Sequence, residues 1–480
     1  MRLAIINPNL SGSISGLDMG VAYLATYIDE RTKHQVKIID LTFHRKDWKG
    51  HIRKEFRKFK PEVVGISVVS LYLSYARDVA REVKRISRVP IIVGGMHPTL
   101  EPEETIKIPE FDALSIADGE ETLTEYLDAL QENKPLSTIK GLWYKQKGQV
   151  HRNEGRPWTD NINSLPIPNY DLWDDIDKYF KFMQRLYFIG VRGCPYRCTY
   201  CDEHALNKTS TGKRYRIRDP RAFAREVKHQ YDKYRERGMR LAHMFDAVFT
   251  FDKKWLEEFT DEYKKLGLSK RLPYTIFIKA DNLNSSEDKL KMLKDSGCRQ
   301  IRVGIEAGDE DVRTKIYKKA GTTNKQLEGF IKAYKKHGLV VKAYNILGGP
   351  GETQDTIKKT VEINKRFKTD IPLFFTYTPL PGTTILEMIE GETTMATSLH
   401  FKESIHLKGV PKNFVEKMQR HAYLYFVPRM MIRVFLKHPI KFSYMMATRV
   451  LSGIALDADL RLVVAYTVSS PLFWDAFAQA

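Results

Sequence analysis

The sequence of 480 residues predicts an α/β protein in four stretches: a doubly wound parallel sheet over 1–135, a linker over 136–184, a partial (β/α)6 barrel over 185–382 and a helical C-terminal region over 383–480. Three observations predict it. Short β-rich runs alternate with amphipathic helical patterns in two separate series, which is the signature of parallel sheets. A segment rich in Pro, Asn and Asp (PWTDNINSLPIPNYDLWDD) parts the two series. Near residue 383 the alternation stops. A chain of this length needs two or three domains, each with its own core.

The first series runs LAIIN (3–7), VKIID (36–40), VVGIS (63–67), PIIVGG (90–95) and ALSIA (113–117). In an open parallel sheet a ligand lies beyond the carboxyl ends of the strands, where the strand order reverses. Those ends read Asn7-Pro8-Asn9, Ser67 to Ser70, Gly94-Gly95-Met96-His97 and Asp118-Gly119-Glu120. Their small and turn-forming residues leave room for a large ligand, and Asn9, Ser67, Gly94, Gly95 and Glu120 are its candidate contacts. The linker includes a hairpin-like piece, GLWYKQKGQV, and packs by its aromatics.

The second series runs YFIGVRG (187–193), RLAHMFD (240–246), YTIFIKA (274–280), RQIRVGIE (299–306), VVKAYNILG (340–348) and PLFFTYT (372–378). Between them lie helical patterns such as the one opened by Asp219 and Pro220, an N-cap and a first-turn residue. Six units do not fill an eight-unit barrel, so the barrel is partial. By analogy with complete barrels its chemistry belongs at the C-terminal ends of the strands.

Composition narrows the class. No stretch reaches the roughly 18 uncharged apolar residues of a membrane-spanning helix. The N-terminal MRLAIINPN runs straight into a strand, without the regions of a secretory signal. Four cysteines occur, three of them within eight residues, which suits a metal site in a reducing compartment better than disulfides. A cytoplasmic protein is expected. The net charge of +19 speaks of partners, namely a membrane surface or an anionic substrate, or of a solvated lysine-rich surface. No nucleic acid is expected.

The first barrel strand leads into Gly193-Cys194-Pro195-Tyr196-Arg197-Cys198-Thr199-Tyr200-Cys201, a C-x3-C-x2-C loop. Three thiolates on a four-iron cluster leave one iron open, and an open iron can chelate the amino and carboxylate groups of a methionine. A zinc loop with His204 as fourth ligand and three ordinary cysteines are the alternatives.

With these residues the chain resembles the radical S-adenosylmethionine superfamily, whose Cys loop follows the first barrel strand. The resemblance continues in order through Phe245-Asp246 with Phe249-Thr250, through Gly304-Ile305-Glu306-Ala307-Gly308, and through Asn345 to Gly351 with Glu352 and Thr353. It implies a [4Fe-4S] cluster on Cys194, Cys198 and Cys201, S-adenosylmethionine as cofactor and an external electron donor of flavodoxin or ferredoxin type. Tyr200, Asp246, Glu306, Gly348 and Gly349 are the implied cofactor contacts, with Glu306 near the ribose or the methionine. Asp246-Ala247 stands where family members often carry two acidic residues, so Asp246 is read either as a cofactor or substrate contact or as the cap of a turn.

The N-terminal series resembles the cobalamin-binding domain of one branch of that superfamily, in GLDMGVAYLA (16–25), VGGMHPT (93–99) and DGEET (118–122). Cobalamin is therefore an implied cofactor, the alternative being a vestigial domain that only packs. The first loop, Asn7 to Gly12, has no His for cobalt, so His97 or no protein residue serves its lower face, and no His ligation is expected. Methylthiotransferases, similar in layout, need N-terminal cysteines, and none precedes Cys194. Cys298 reads as a small core residue.

The resemblance implies cobalamin-dependent methyl transfer to an unactivated carbon of an apolar substrate such as a lipid, quinone or tetrapyrrole. A non-methylating radical reaction (ring closure, carbon–carbon coupling or anaerobic oxygen insertion) is the alternative, and a cobalamin-linked binding or sensing module the third. Residues 411–450 add a location. Pro428 and Pro439 frame a helix of about ten residues; Arg429, Arg433, Lys437 and, just beyond it, Lys441 recur every four positions, which puts at least the first three on one face, with Met430, Met431, Val434 and Phe435 on another. That pattern suits peripheral contact with an anionic membrane at its inner face, or a helix closing the open side of the barrel.

Overall fold

A computed structural model describes residues 1–447 apart from 13, 15, 250–251, 281–285, 320–321, 390–404, 406 and 445. Two compact units emerge. The first comprises residues 1–179 with 205–216 and 380–382, the second residues 180–204, 217–379 and 383 onward.

The first unit is built on seven strands: β1 (Arg2–Asn7), β2 (Gln35–Asp40), β3 (Val63–Ser67), β4 (Ile91–Gly94), β5 (Ala113–Ser115), β6 (Leu142–Gln146) and β7 (Gln149–Arg152), in the order β2-β1-β3-β4-β5-β6-β7. β1 to β5 pair in parallel, and the order reverses between β1 and β3. Leu3 to Ile6 are buried without alternation, as a strand covered on both faces requires. Helix α1 (Met19–Arg31) starts where the Asp18 carboxylate accepts from the Val21 amide at 3.1 Å. Helix α2 (Leu73–Ile86) turns Ala76, Val79, Ala80 and Val83 to the sheet.

The stretch 136–184 is more than the expected linker. Its hairpin adds β6 antiparallel to β5 and β7 antiparallel to β6, which satisfies the open edge of the parallel sheet. Its aromatics then bury in the same unit: the Trp173 indole N–H donates to Asp40 at 3.1 Å, and the Tyr179 hydroxyl donates to the same carboxylate at 2.6 Å.

The second unit is the partial barrel. Its strands β8 (Arg185–Phe188), β9 (Leu241–Met244), β10 (Tyr274–Ile278), β11 (Cys298–Glu306), β12 (Val340–Leu347) and β13 (Ile371–Thr376) lie side by side in sequence order, all parallel. Helix α3 (Pro220–Tyr234) opens as the sequence predicts, the Asp219 carboxylate accepting from the Ala222 amide at 2.7 Å. Alternation sorts every strand into two faces. On β11, Ile301, Val303 and Ile305 are fully buried toward the helices, and Gln300, Arg302, Gly304 and Glu306 share the lumen face. On β12, Asn345 meets Asn364 of helix α4 (Gln354–Phe367) at 2.7 Å, so Val340, Lys342, Tyr344 and Ile346 take the lumen. Cys298 is fully buried in the core, as expected.

Helix α5 runs Phe414–Lys437, so Pro428 stands inside it and does not begin it. The reason is packing. Val415, Gln419, Ala422, Phe426, Met430 and Val434 form one buried stripe that continues past Pro428, which is exposed. Met430 and Val434 are core residues, not an interfacial face, and with Phe442 they join Leu241, Val340 and Ile371, the lumen-face residues at the N-terminal ends of three strands. The helix therefore closes the barrel from below. Arg433 lies 3.5 Å from Asp370. Of the expected C-terminal region, residues 448–480 lie outside the described part.

Candidate active site

The Cys loop leaves the mouth of β8. Its three cysteines are half-buried, and the loop is tied down by Thr199, whose amide donates to the Tyr317 carbonyl at 3.1 Å and whose hydroxyl donates to the Ile316 carbonyl at 2.7 Å. Burial pushes the Cys194 thiol up to about 11 and raises Cys201 as well, and the charge of Cys198 raises both further. Such thiols ionise when a metal takes the proton's place. Among the described residues no three of His, Cys, Asp or Glu are gathered as for a single ion. Three thiols on one loop, each within range of another's charge, are a donor set for a larger cluster.

Glu306 closes β11 beside this loop. Its backbone is left-handed, φ +65°, and the pairing with β12 shifts register there. Strain of this kind in a non-glycine persists only where neighbours over-determine it. Here the Lys319 ammonium donates to the Glu306 carboxylate at 2.7 Å, and the Tyr200 hydroxyl is hydrogen-bonded to the same group. A side chain at Gly304 would collide with both Glu306 and Lys319.

Gly348 and Gly349 open the turn after β12. Gly348 has φ +78°, and a Cβ on Gly349 would fall on the Tyr317 hydroxyl. That hydroxyl donates to Glu352 at 3.3 Å, and the Gly349 amide donates to the same oxygen at 2.9 Å. Burial pushes Glu352 up to about 7. The Tyr200 and Tyr317 rings meet edge-on at 5.2 Å. So Tyr200, Glu306, Gly348 and Gly349 gather at one end of the barrel, through two residues the sequence did not single out, Tyr317 and Lys319. The signal was faint: a Tyr-Lys-Lys run a dozen residues beyond β11.

Asp246 follows β9 and is buried. One carboxylate oxygen accepts from the amides of Gly190 and Val191, at the exit of β8, and the other has no hydrogen-bond partner among the described residues. It clamps the strand that carries the Cys loop. Phe249 is buried against Trp255 and Phe259, and Thr250 lies outside the described residues.

In the first unit the candidate residues sit at the carboxyl ends of β1, β3, β4 and β5, around the switch point. The Asn9 amide donates to Thr42 at 3.3 Å, and Ser67 donates to Asp18, the cap of α1, at 3.0 Å. Gly95 has φ +107°, and a side chain there would press on the Val68 carbonyl. Glu120 is buried at the start of a helix, Glu120–Glu132. His97 is buried 3.0 Å from the Ser70 hydroxyl, and burial pushes it down to about 4, a neutral imidazole at physiological pH.

Two family models match the chain, the B12 binding domain over residues 15–127 and the radical SAM superfamily over residues 188–363. An uncharacterized methyltransferase of Pyrococcus horikoshii is 30% identical over 459 residues, 91% of this chain and 95% of its own length. The chain belongs to the radical SAM superfamily, in the branch with a B12-binding domain. An anaerobic magnesium-protoporphyrin IX monomethyl ester cyclase of Cereibacter sphaeroides is 22% identical, covering 82% of this chain and 64% of that longer protein. In fold, TsrM of Kitasatospora setae, a radical S-adenosylmethionine methyltransferase solved with cobalamin and a [4Fe-4S] cluster, matches with a TM-score of 0.66 at 19% identity, over 80% of this chain and 73% of that one. This radical SAM protein is an enzyme whose cofactors are a [4Fe-4S] cluster, S-adenosylmethionine and cobalamin.

Proposed function

We propose that this radical SAM enzyme transfers a methyl group to an unactivated carbon of an apolar small molecule. The observation that carries the reading is a Cys loop at the mouth of a barrel with an open, aromatic lumen. Phe277, Tyr344 and Phe375 on the lumen face are part-exposed and Phe245 is half-exposed, whereas the outward residues beside them are buried. When bound, the cofactors supply a hydrogen-abstracting radical and a transferable methyl group, and the protein supplies positioning and dryness.

Each residue then has a task. Cys194, Cys198 and Cys201 hold the cluster. Tyr200 and the Glu306–Lys319 pair present a fixed polar edge to S-adenosylmethionine, and Gly348 and Gly349 let backbone approach it. Asp246 acts through the β8 exit as a positioning residue. Asn9, Ser67, Gly94, Gly95 and Glu120 would line the place of cobalamin; the first loop carries no His, and His97 Nδ1 lies 3.0 Å from the Ser70 hydroxyl. An external flavodoxin- or ferredoxin-type donor supplies electrons. The printed names of the Pyrococcus horikoshii relative and of TsrM support methyl transfer. That of the Cereibacter sphaeroides relative favours ring closure as the second reading and a tetrapyrrole-like substrate for either.

The same reading places the enzyme in the cytoplasm at a membrane surface, through an apolar stripe on the outer side of α5 that reaches past its end: Leu424, Ile432, Phe435, Leu436, Ile440 and Tyr444 are exposed. Lys437 and Lys441 beside it suit anionic lipid.

The test is anaerobic turnover with methyl-labelled S-adenosylmethionine, reductant and cobalamin. Label in the product together with 5′-deoxyadenosine is expected, and both should vanish in Cys198→Ala but persist in Cys298→Ala. Deoxyadenosine with an unlabelled, altered product overturns methyl transfer in favour of ring closure.

A further inference from the structure

The lumen is not uniformly apolar. Above the sealed floor of Leu241, Val340 and Ile371 comes a layer of cations. Arg302 and Lys342 are register partners on β11 and β12, both buried, and Arg185 begins β8 on the same lumen face. His243 and Thr275, partners on β9 and β10, complete the layer with Gln300. The charges acting on buried His243 are Arg302, Arg185 and Lys342, and those acting on Lys342 are Arg302 and Arg185. Both groups are driven down by burial first and by these cations second. Two further polar atoms belong to this layer: among the described residues the ring nitrogen Nε2 of His243 and the amide nitrogen of Gln300 are buried without a hydrogen-bond partner. Such groups in a native interior call for an occupant.

We propose that the barrel seats its substrate by an anionic group, a carboxylate or a phosphate, bound by Arg185, Arg302 and Lys342 with His243 and Gln300. The aromatic lining above it takes the substrate's apolar body. The rings form a continuous wall: Phe245 to Phe277 at 5.9 Å, Phe277 to Tyr344 at 5.7 Å and Tyr344 to Phe375 at 6.1 Å. Cations and wall are continuous too, with the Arg302 guanidinium 5.3 Å from the Phe277 ring and the Lys342 ammonium 5.9 Å from the Tyr344 ring. A guanidinium beside an ammonium suits a planar or tetrahedral oxyanion. The proposal fixes a length as well. Arg302 is four residues below Glu306 on one strand, about 13 Å at the usual rise, so the reacting carbon lies roughly that far from the anionic group. The substrate is then an elongated amphiphilic anion, a narrower class than an apolar molecule. This rests on the reading of the barrel as the substrate chamber.

Anaerobic calorimetry of the holoenzyme with three probes of one shape tests it: 6-phenylhexanoate, 6-phenylhexyl phosphate and neutral 6-phenylhexanol. Both anions should bind at least tenfold more tightly than the alcohol, and the tighter of the two names the natural group. Arg302→Met and Lys342→Met should each remove most of that preference, and Arg302→Lys should restore part of it. Neither Met variant should melt lower than the wild type, because each removes one of several cations that repel. Equal affinity for alcohol and anions, or an anion preference that survives both Met variants, overturns the proposal. The readout needs no turnover. Anion preference with no methyl label in product overturns only the reaction, and labelled product with no anion preference overturns only the anion seat.

Discussion

Glu306 is held where its backbone would not go unaided, and Lys319 and Tyr200 hold it there. Asp246 is the converse, a relaxed residue in a costly place. Its carboxyl is pushed up to about 7, chiefly by burial, against the lowering effect of the Val191 and Gly190 amides. In the unfolded chain the same group titrates near ~3.9. A raised folded-state value means the folded protein holds the proton more tightly, so its contribution is fully present below about pH 4. It is lost as pH rises to about 7 and is constant above that. Asp246→Asn keeps an oxygen for the two amides and cannot ionise. Its stability relative to wild type, from urea unfolding, should therefore rise between pH 4 and 7 and level off beyond. A difference that stays flat over that range would contradict the burial. At this scale the cysteines were legible because their spacing is local. Lys319 and Tyr317 were not, because a loop beyond β11 folds back to bring them to Glu306 and Glu352.

At the scale of elements, helix α5 carries a proline through its middle. The ring removes the amide that would reach the Leu424 carbonyl and crowds that turn, yet the buried stripe on either side holds the helix together. Pro428 is exposed, so replacing it costs no packing. Pro428→Ala should raise unfolding stability by about 1 to 3 kcal/mol, the scale of a helix-interior proline, read from the shift in urea midpoint. An unchanged midpoint would mean the helix is already broken there in solution. The same element shows where sequence reading fails. Short β-rich runs located every barrel strand, because a strand's burial is written in its own residues. The boundary of α5 was written in its partners: Phe374 of β13 packs on Phe426, and Leu241, Val340 and Ile371 pack on Met430 and Val434. Proline punctuation lost to that packing. The 142–152 hairpin was visible as a hairpin but not as part of the sheet, since nothing local to it records the open edge of β5.

For the whole molecule, net charge and exposed apolar surface act together. No helix among the described residues is long and apolar enough to cross a membrane. On the proposed membrane contact, the net charge of +19 would supply a long-range attraction to anionic lipid that falls with salt, and the exposed stripe of α5 the part that does not. The enzyme should float with vesicles containing phosphatidylglycerol at low salt. Phe435→Glu with Leu436→Glu should abolish most of the flotation that remains at physiological salt. A protein left wholly unbound at low salt would remove the membrane from the account.

The floor of the barrel comes from outside the barrel. Met430, Val434 and Phe442 meet the strand ends as a stopper fitted from below, on a segment that holds none of the proposed cofactor contacts. The cup can thus be made shallower or deeper by resizing three side chains, while the rim proposed to hold the cofactors stays as it is. Reach into the cup and reactivity at its rim are separate variables, and a lineage of such enzymes can change the size of what it accepts without retuning how it reacts.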